Sequence, residues 1–268
     1  MTAGPRPVLH HEVEVMGTVV TIDLFGETHG ARTREPLDRL VDAACAVLHD
    51  ADAVFSTWRE DSPISRLRRG ELTVDACPPV VGEVLSRCAE AHATSMGWFD
   101  PWALPGGVDP TGLVKGWAAQ LALSQLLGTG VEGAIVNAAG DVAAWGAPAP
   151  GQPFRIGIVD PFDPSRLACV VELDGARGGA IATSGTYERG PHLIDPRTAE
   201  RASAVASATV RGPDLGLADA LATAVAVSGT VDFVDAVEGY EAFVIGLDGR
   251  ACSTPRFAFA TDPVVVRH

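Results

Sequence analysis

The chain has 268 residues, 47% of them apolar and 20% charged, with a formal net charge of −14. That length supports one large domain or two small ones with a real core, and the composition excludes collagen-like, coiled-coil and wholly disordered chains. So acidic a surface repels phosphate backbones and anionic lipids, so neither nucleic acid nor a membrane surface is an expected partner.

The first residues, MTAGPRPVLHHEVEVMGT, lack a basic stretch followed by a long apolar run, so no secretory signal is read there. No stretch of about 18 apolar residues exists, so no membrane span is expected, and the protein is placed in the cytoplasm. The five cysteines are dispersed and form no C-x-x-C pair, which argues against a disulfide framework or a zinc site. Residues 1–12 read as a flexible arm and residues 13–268 as one domain.

In chain order, residues 13–24 alternate with β-branched side chains and predict a strand. Residues 34–54 carry apolar positions at helical spacing (Leu37, Leu40, Val41, Ala44, Val47, Leu48), and residues 78–95 repeat that pattern behind a proline. Between these helices FSTWREDSPISRL is polar and turn-rich. Residues 97–112 form a Gly- and Pro-dense loop, too long and too aromatic for a mere linker. A helix is predicted over 112–127. Short strands follow at 134–137, 142–145, 154–159, 169–173, 180–183 and 204–210. Helices are predicted at 217–227 and 231–237, and closing strands at 240–246 and 256–260. Such an order is neither strictly alternating nor segregated, and it predicts an α+β fold with a mixed, largely antiparallel sheet.

Four segments carry candidate chemistry. In VDPTGLVKGWAAQ, Asp109 precedes a helix whose first turn holds Gly112 and whose body holds Lys115. A helix N-terminus with a lysine suits an anion, although these residues taken alone favour an N-capped surface helix with a solvated lysine. NAAGDV (137–142) is a strand end followed by small residues, read as a turn or as a close approach to a ligand. ATSGTYERGPHLIDPRT (182–198) gathers hydroxyls around His192, a candidate general base near neutral pH. In ADALATA (218–224) Asp219 and Thr223 share one helix face. Their oxygens suit Mg2+ rather than zinc, with helix capping by Asp219 as the plainer alternative.

Taken in this order, MGT, FSTW with DSPISRL, FDPW, VDPTGLVKGWAA, NAAGDV, SGTYERG, HLIDPRT and ADALAT resemble the ApbE family, the FAD:protein FMN transferases. The likeness spans roughly residues 13–229. It implies an ApbE-like, T-fold-related domain and a Mg2+-dependent enzyme. FAD would be cleaved, its FMN half passed to a Ser or Thr hydroxyl of an acceptor flavoprotein, and AMP released. By motif position, the resemblance implies metal ligation by Asp219, Thr223 and the backbone of Gly112. It implies FAD contacts from Met16, Trp58, Trp98, Phe99, Asp100, Asp109, Lys115 and Leu193, with His192 deprotonating the attacking hydroxyl. An FAD pyrophosphatase and a non-catalytic FAD-binding protein are the competing readings of the same pocket. The chain departs from the family pattern at Ala139 and Ala199, where glycines are usual, and at Thr186 and Ala222, where aspartates occur. Fewer carboxylates imply a single Mg2+ or weaker binding of it.

Overall fold

The structure is a computed structural model that describes residues 5–26, 34–128, 130–185, 193–201, 204–261 and 263. The chain opens with β1 (Leu9–Val15) and β2 (Thr18–Phe25), an antiparallel hairpin pairing His10 with Asp23 and Val13 with Val20. The predicted strand over 13–24 is thus two. Met16 and Gly17, with φ of 54° and 69°, turn the chain back on itself. Pairing begins at Leu9, so residues 9–12 belong to the sheet and not to the expected N-terminal arm.

Next come α1 (Arg34–Phe55), α2 (Pro63–Arg68) and α3 (Pro79–Thr94), with a short 3-10 turn at Val74–Ala76 between the last two. α1 follows its predicted spacing, burying Leu37, Val41, Ala44, Leu48, Ala51 and Phe55. α2 was not predicted. Its start is written in Ser62-Pro63, where the Ser62 hydroxyl accepts from Ser65 N at 3.1 Å and proline takes the first turn.

The remaining elements are α4 (Thr111–Gln125), β3 (Gly133–Ala138), β4 (Asp141–Gly146), β5 (Phe154–Asp160), β6 (Asp163–Leu173), β7 (Gly175–Gly185), β8 (Val205–Gly212), α5 (Leu215–Ser228), α6 (Asp232–Asp235), β9 (Glu241–Gly246) and β10 (Ala251–Ser253). Eight strands form one sheet in the order β1-β2-β3-β4-β7-β8-β9-β10, and β5 and β6 form a separate hairpin. The α+β expectation holds, and among the described strands every ladder is antiparallel.

Alternation along the strands splits the sheet into two apolar faces. Val20, Ile22, Val136, Ala143, Ala182, Val210 and Val244 face α1, α4 and α5 in the larger core. Val142, Ala144, Ile181, Phe243 and Ile245 point the other way, onto Phe154, Ile158 and Val171 of the β5–β6 hairpin. The central α5 is apolar around its whole circumference and correspondingly buried. Its ends are fixed by Asp214, which accepts from Leu217 N at 2.8 Å, and by Gly229 in the left-handed region.

The predicted closing strand over 256–260 does not form. Phe257 and Phe259 pack on Phe243 at ring distances of 5.7 and 5.1 Å, while the sheet edge is supplied by β10 instead. Aromatic alternation there reports side-chain packing without a ladder. Among the described residues no helix is long and apolar enough to cross a membrane.

Candidate active site

The N-terminus of α4, the middle of α5 and the adjoining ends of β4 and β7 meet on the helical side of the sheet. α4 and α5 approach closely because Gly116 has no side chain; a Cβ there would lie 2.5 Å from the Leu215 carbonyl oxygen. The N–H of Gly116, which helix geometry pairs with the Gly112 carbonyl, reaches Asp219 Oδ2 at 3.2 Å. Gly112 itself faces Thr223, whose Oγ1 would be 3.7 Å from a Cβ on Gly112. Thr223 Oγ1 lies 3.3 Å from Ser184 Oγ at the end of β7. Gly112, Asp219 and Thr223 are therefore brought together.

Lys115, the only lysine in the sequence, points from α4 to Asp141 and forms an ion pair with its Oδ2. Asp141 is fully buried, and its other oxygen accepts from Thr183 N at 3.1 Å. Asp219 is 4% exposed and lies deep within α5. Burial, then the neighbouring Asp141 carboxylate, push its carboxyl well above the ordinary carboxylate range. Helix capping by Asp219 is thereby excluded, because Asp214 is the cap. Asp141 was not among the predicted site residues. Its signal was the acid closing NAAGDV, a segment that also reads as an ordinary turn.

A divalent cation fits this arrangement. Among the described residues the two buried acids share one lysine, so Asp219 would become a charged ligand when a cation displaces its proton. The oxygens near it are a hydroxyl pair and helix backbone, a hard donor set. Among the described residues no three His, Cys, Asp or Glu side chains gather as a metal cage. Any ion held here would rest on one carboxylate supplemented by neutral oxygens.

The loop ahead of α4 is tied to this centre. Phe99 is buried beside Gly112, with a ring carbon 3.2 Å from where a Cβ would stand. Asp100 accepts from Trp102 N and Ala103 N at 2.9 and 3.1 Å, so its carboxylate shapes the loop. Asp109 accepts from the Thr111 hydroxyl at 2.6 Å and pairs with Arg68 of α2 at 3.0 Å. Arg68 also donates to the Gly106 and Pro105 carbonyls at 3.2 and 3.1 Å, which makes the unpredicted α2 an anchor of the loop.

Trp98 is half-buried, with the Arg197 guanidinium 3.5 Å above its ring centre. Leu193 is buried in the larger core, and Met16 packs against the same core from the β1–β2 turn. Trp58, between α1 and α2, is 94% exposed and is not drawn into the cluster. His192 and Thr186 lie outside the described residues.

A family model described as the ApbE family matches residues 16–107 and 104–244. Among curated proteins, the FAD:protein FMN transferase of Rhodobacter capsulatus is 36% identical over 152 residues, 53% of this chain and 28% of that protein. The FAD:protein FMN transferase of Salmonella typhimurium is 30% identical over 158 residues, 55% of this chain and 45% of that protein. The matched region thus spans less than half the length of these relatives. The flavin transferase ApbE of Vibrio cholerae superposes with a TM-score of 0.77 at 22% identity, covering 92% of this chain and 97% of that one. The apo flavinyl transferase ApbE of Pseudomonas stutzeri gives a TM-score of 0.75 at 25% identity, covering 92% and 94%. With the family model covering most of the chain on top of this shared fold, the chain belongs to the ApbE family.

Proposed function

We propose that the chain is a Mg2+-dependent FAD:protein FMN transferase. The observation that carries this reading is the buried Asp219 on the Gly116 N–H, with Thr223 against Gly112 one turn away and the Lys115–Asp141 pair on the same stretch of α4. A diphosphate ester needs positive charge and hydrogen-bond donors around its non-bridging oxygens, and little else from the protein. In this reading Asp219, Thr223 and the Gly112 backbone hold Mg2+, which neutralises phosphoryl charge when bound.

In this reading Lys115 and the first turn of α4 serve the same anion, and the buried Asp141 orients the lysine. The acceptor hydroxyl oxygen forms a bond to the phosphorus of the FMN half. The bond from that phosphorus to the bridging oxygen breaks, and AMP leaves with that oxygen. The hydroxyl proton passes to a base, a role we assign to His192. His192→Ala is expected to slow transfer by about 10²-fold. Equal transfer rates in the mutant and the parent protein would remove the assignment.

The test of the function is direct. The protein is incubated with FAD, Mg2+ and a Thr-containing acceptor peptide, and AMP and peptide mass are followed. AMP together with a peptide heavier by one FMN unit is the expected result. AMP with free FMN and an unmodified peptide would instead indicate a pyrophosphatase. Bound FAD without AMP would indicate a carrier.

A further inference from the structure

Arg197 sits in the segment 193–201, between β7 and β8, and that segment is braced from within. Asp195 Oδ1 accepts from Arg197 N at 2.8 Å, Asp195 N donates to the Glu200 carbonyl at 2.9 Å, and Ala199 N donates to the Asp195 carbonyl at 2.8 Å. Leu193 anchors the start of the segment in the larger core. The backbone therefore presents Arg197 at a defined place.

Its guanidinium carbon lies 3.5 Å from the centre of the Trp98 ring. Arg68, Arg87 and Arg211 each meet a carboxylate, but among the described residues no carboxylate pairs with Arg197. In a chain of net charge −14, an arginine stacked on an indole instead of on an acid is conspicuous. Stacking uses the flat face of the guanidinium and leaves its N–H fork directed outward in the ring plane, where it matches phosphate oxygens. Trp98 is also next to Phe99, whose ring lies against Gly112 at the start of α4. Arg197 is thus linked to the start of α4 through Trp98 and its chain neighbour Phe99, and Lys115 lies one turn further along that helix.

We propose that Arg197 is a substrate-contacting residue whose guanidinium, oriented by the Trp98 ring, binds the diphosphate of the dinucleotide as a second cation beside Lys115. This inference rests on the FAD reading of the site and names the group that recognises the anionic part of that substrate. It gives the Arg-Trp stack a purpose beyond packing, since a merely structural cover would not require a charge.

The test is a titration of the full chain with FAD in the presence of Mg2+, followed by flavin fluorescence at low and high NaCl. Arg197→Gln is expected to bind FAD about 10-fold more weakly at low salt, as the loss of a charge-assisted hydrogen bond predicts. Its affinity should also respond less to salt than that of the parent protein, because one screened attraction has gone. Arg197→Lys, which keeps the charge but not the fork, should recover part of the loss. Unchanged affinity in Arg197→Gln overturns the inference, and so does weaker binding with an unchanged salt response, which would reduce Arg197 to a cover for Trp98. Failure of the parent protein to bind FAD would overturn the functional reading itself, and is distinguished by appearing without any substitution.

Discussion

Asp219 is a carboxyl held in surroundings far from water. It is buried within α5, next to a second carboxylate, with one backbone N–H as a direct donor. Its carboxyl is pushed up to about 8, so between its ordinary range near pH 4 and that value the native chain holds a proton that the unfolded chain has released. Metal-free stability should therefore fall as pH rises through this window. Mg2+ should oppose the fall, because it favours the ionised form. In Asp219→Asn the fall should be much shallower. Thermal unfolding from pH 5 to 8, with and without Mg2+, reads both effects, and an identical pH slope in the mutant would disprove the electrostatic account. A second residue is strained by its own side chain. Ala139 has a φ of 52° in the β3–β4 turn, where the next residue, Gly140, has 90°. An L-residue pays about 1–2 kcal/mol there, partly offset by the entropy a glycine loses on folding, so Ala139→Gly should stabilise by about 0.5–1 kcal/mol in denaturant unfolding.

Among the elements, the contact between α4 and α5 decides whether the site exists. Gly116 sits mid-helix, where glycine is unfavourable by itself, and it is retained because Leu215 and Asp219 occupy the space a methyl would need. Gly116→Ala should push the two helices apart, cost about 3 kcal/mol, and weaken Mg2+ and FAD binding together. Chemical denaturation and ligand titration of the same mutant would check this, and full affinity with native stability would refute it. This contact also marks a boundary of what the sequence discloses. The helices were legible because burial imposes a 3.6-residue period on Leu37, Val41, Ala44 and Leu48. The metal candidates Asp219 and Thr223 were legible as one helix face. Asp141 was not, because its meeting with Lys115 and Asp219 depends on how β4 docks against two helices distant in sequence. α2 was obscured by its polar setting, and the absence of a strand over 256–260 by aromatic alternation that serves packing alone.

At the scale of the whole molecule, a sheet clad by helices on one face and by the β5–β6 hairpin on the other leaves most charged groups at the periphery. The α+β class followed from the order of elements, but the strand order β4-β7-β8-β9 did not, since nothing local tells β5 and β6 to leave the sheet as a separate hairpin. That architecture separates two electrostatic effects that solution conditions can vary independently. The net charge of −14 is spread over the surface, so self-repulsion acts over long distances and salt should relieve it. Raising NaCl from about 10 to about 150 mM shortens the screening length from about 30 to about 8 Å, which should raise the melting temperature without regard to ion identity. The buried Asp219 is screened far less, and it should respond to a specifically bound cation. At matched ionic strength, Mg2+ should therefore add a saturating rise in melting temperature beyond that of NaCl, about 2.7 kcal/mol of stabilisation when Mg2+ is at 100 times its dissociation constant. Asp219→Asn should keep the NaCl response and lose the Mg2+ increment. If both proteins gained equally from Mg2+, the ion would be acting on the acidic surface as a whole, and the centre between α4 and α5 would have to be read without a metal.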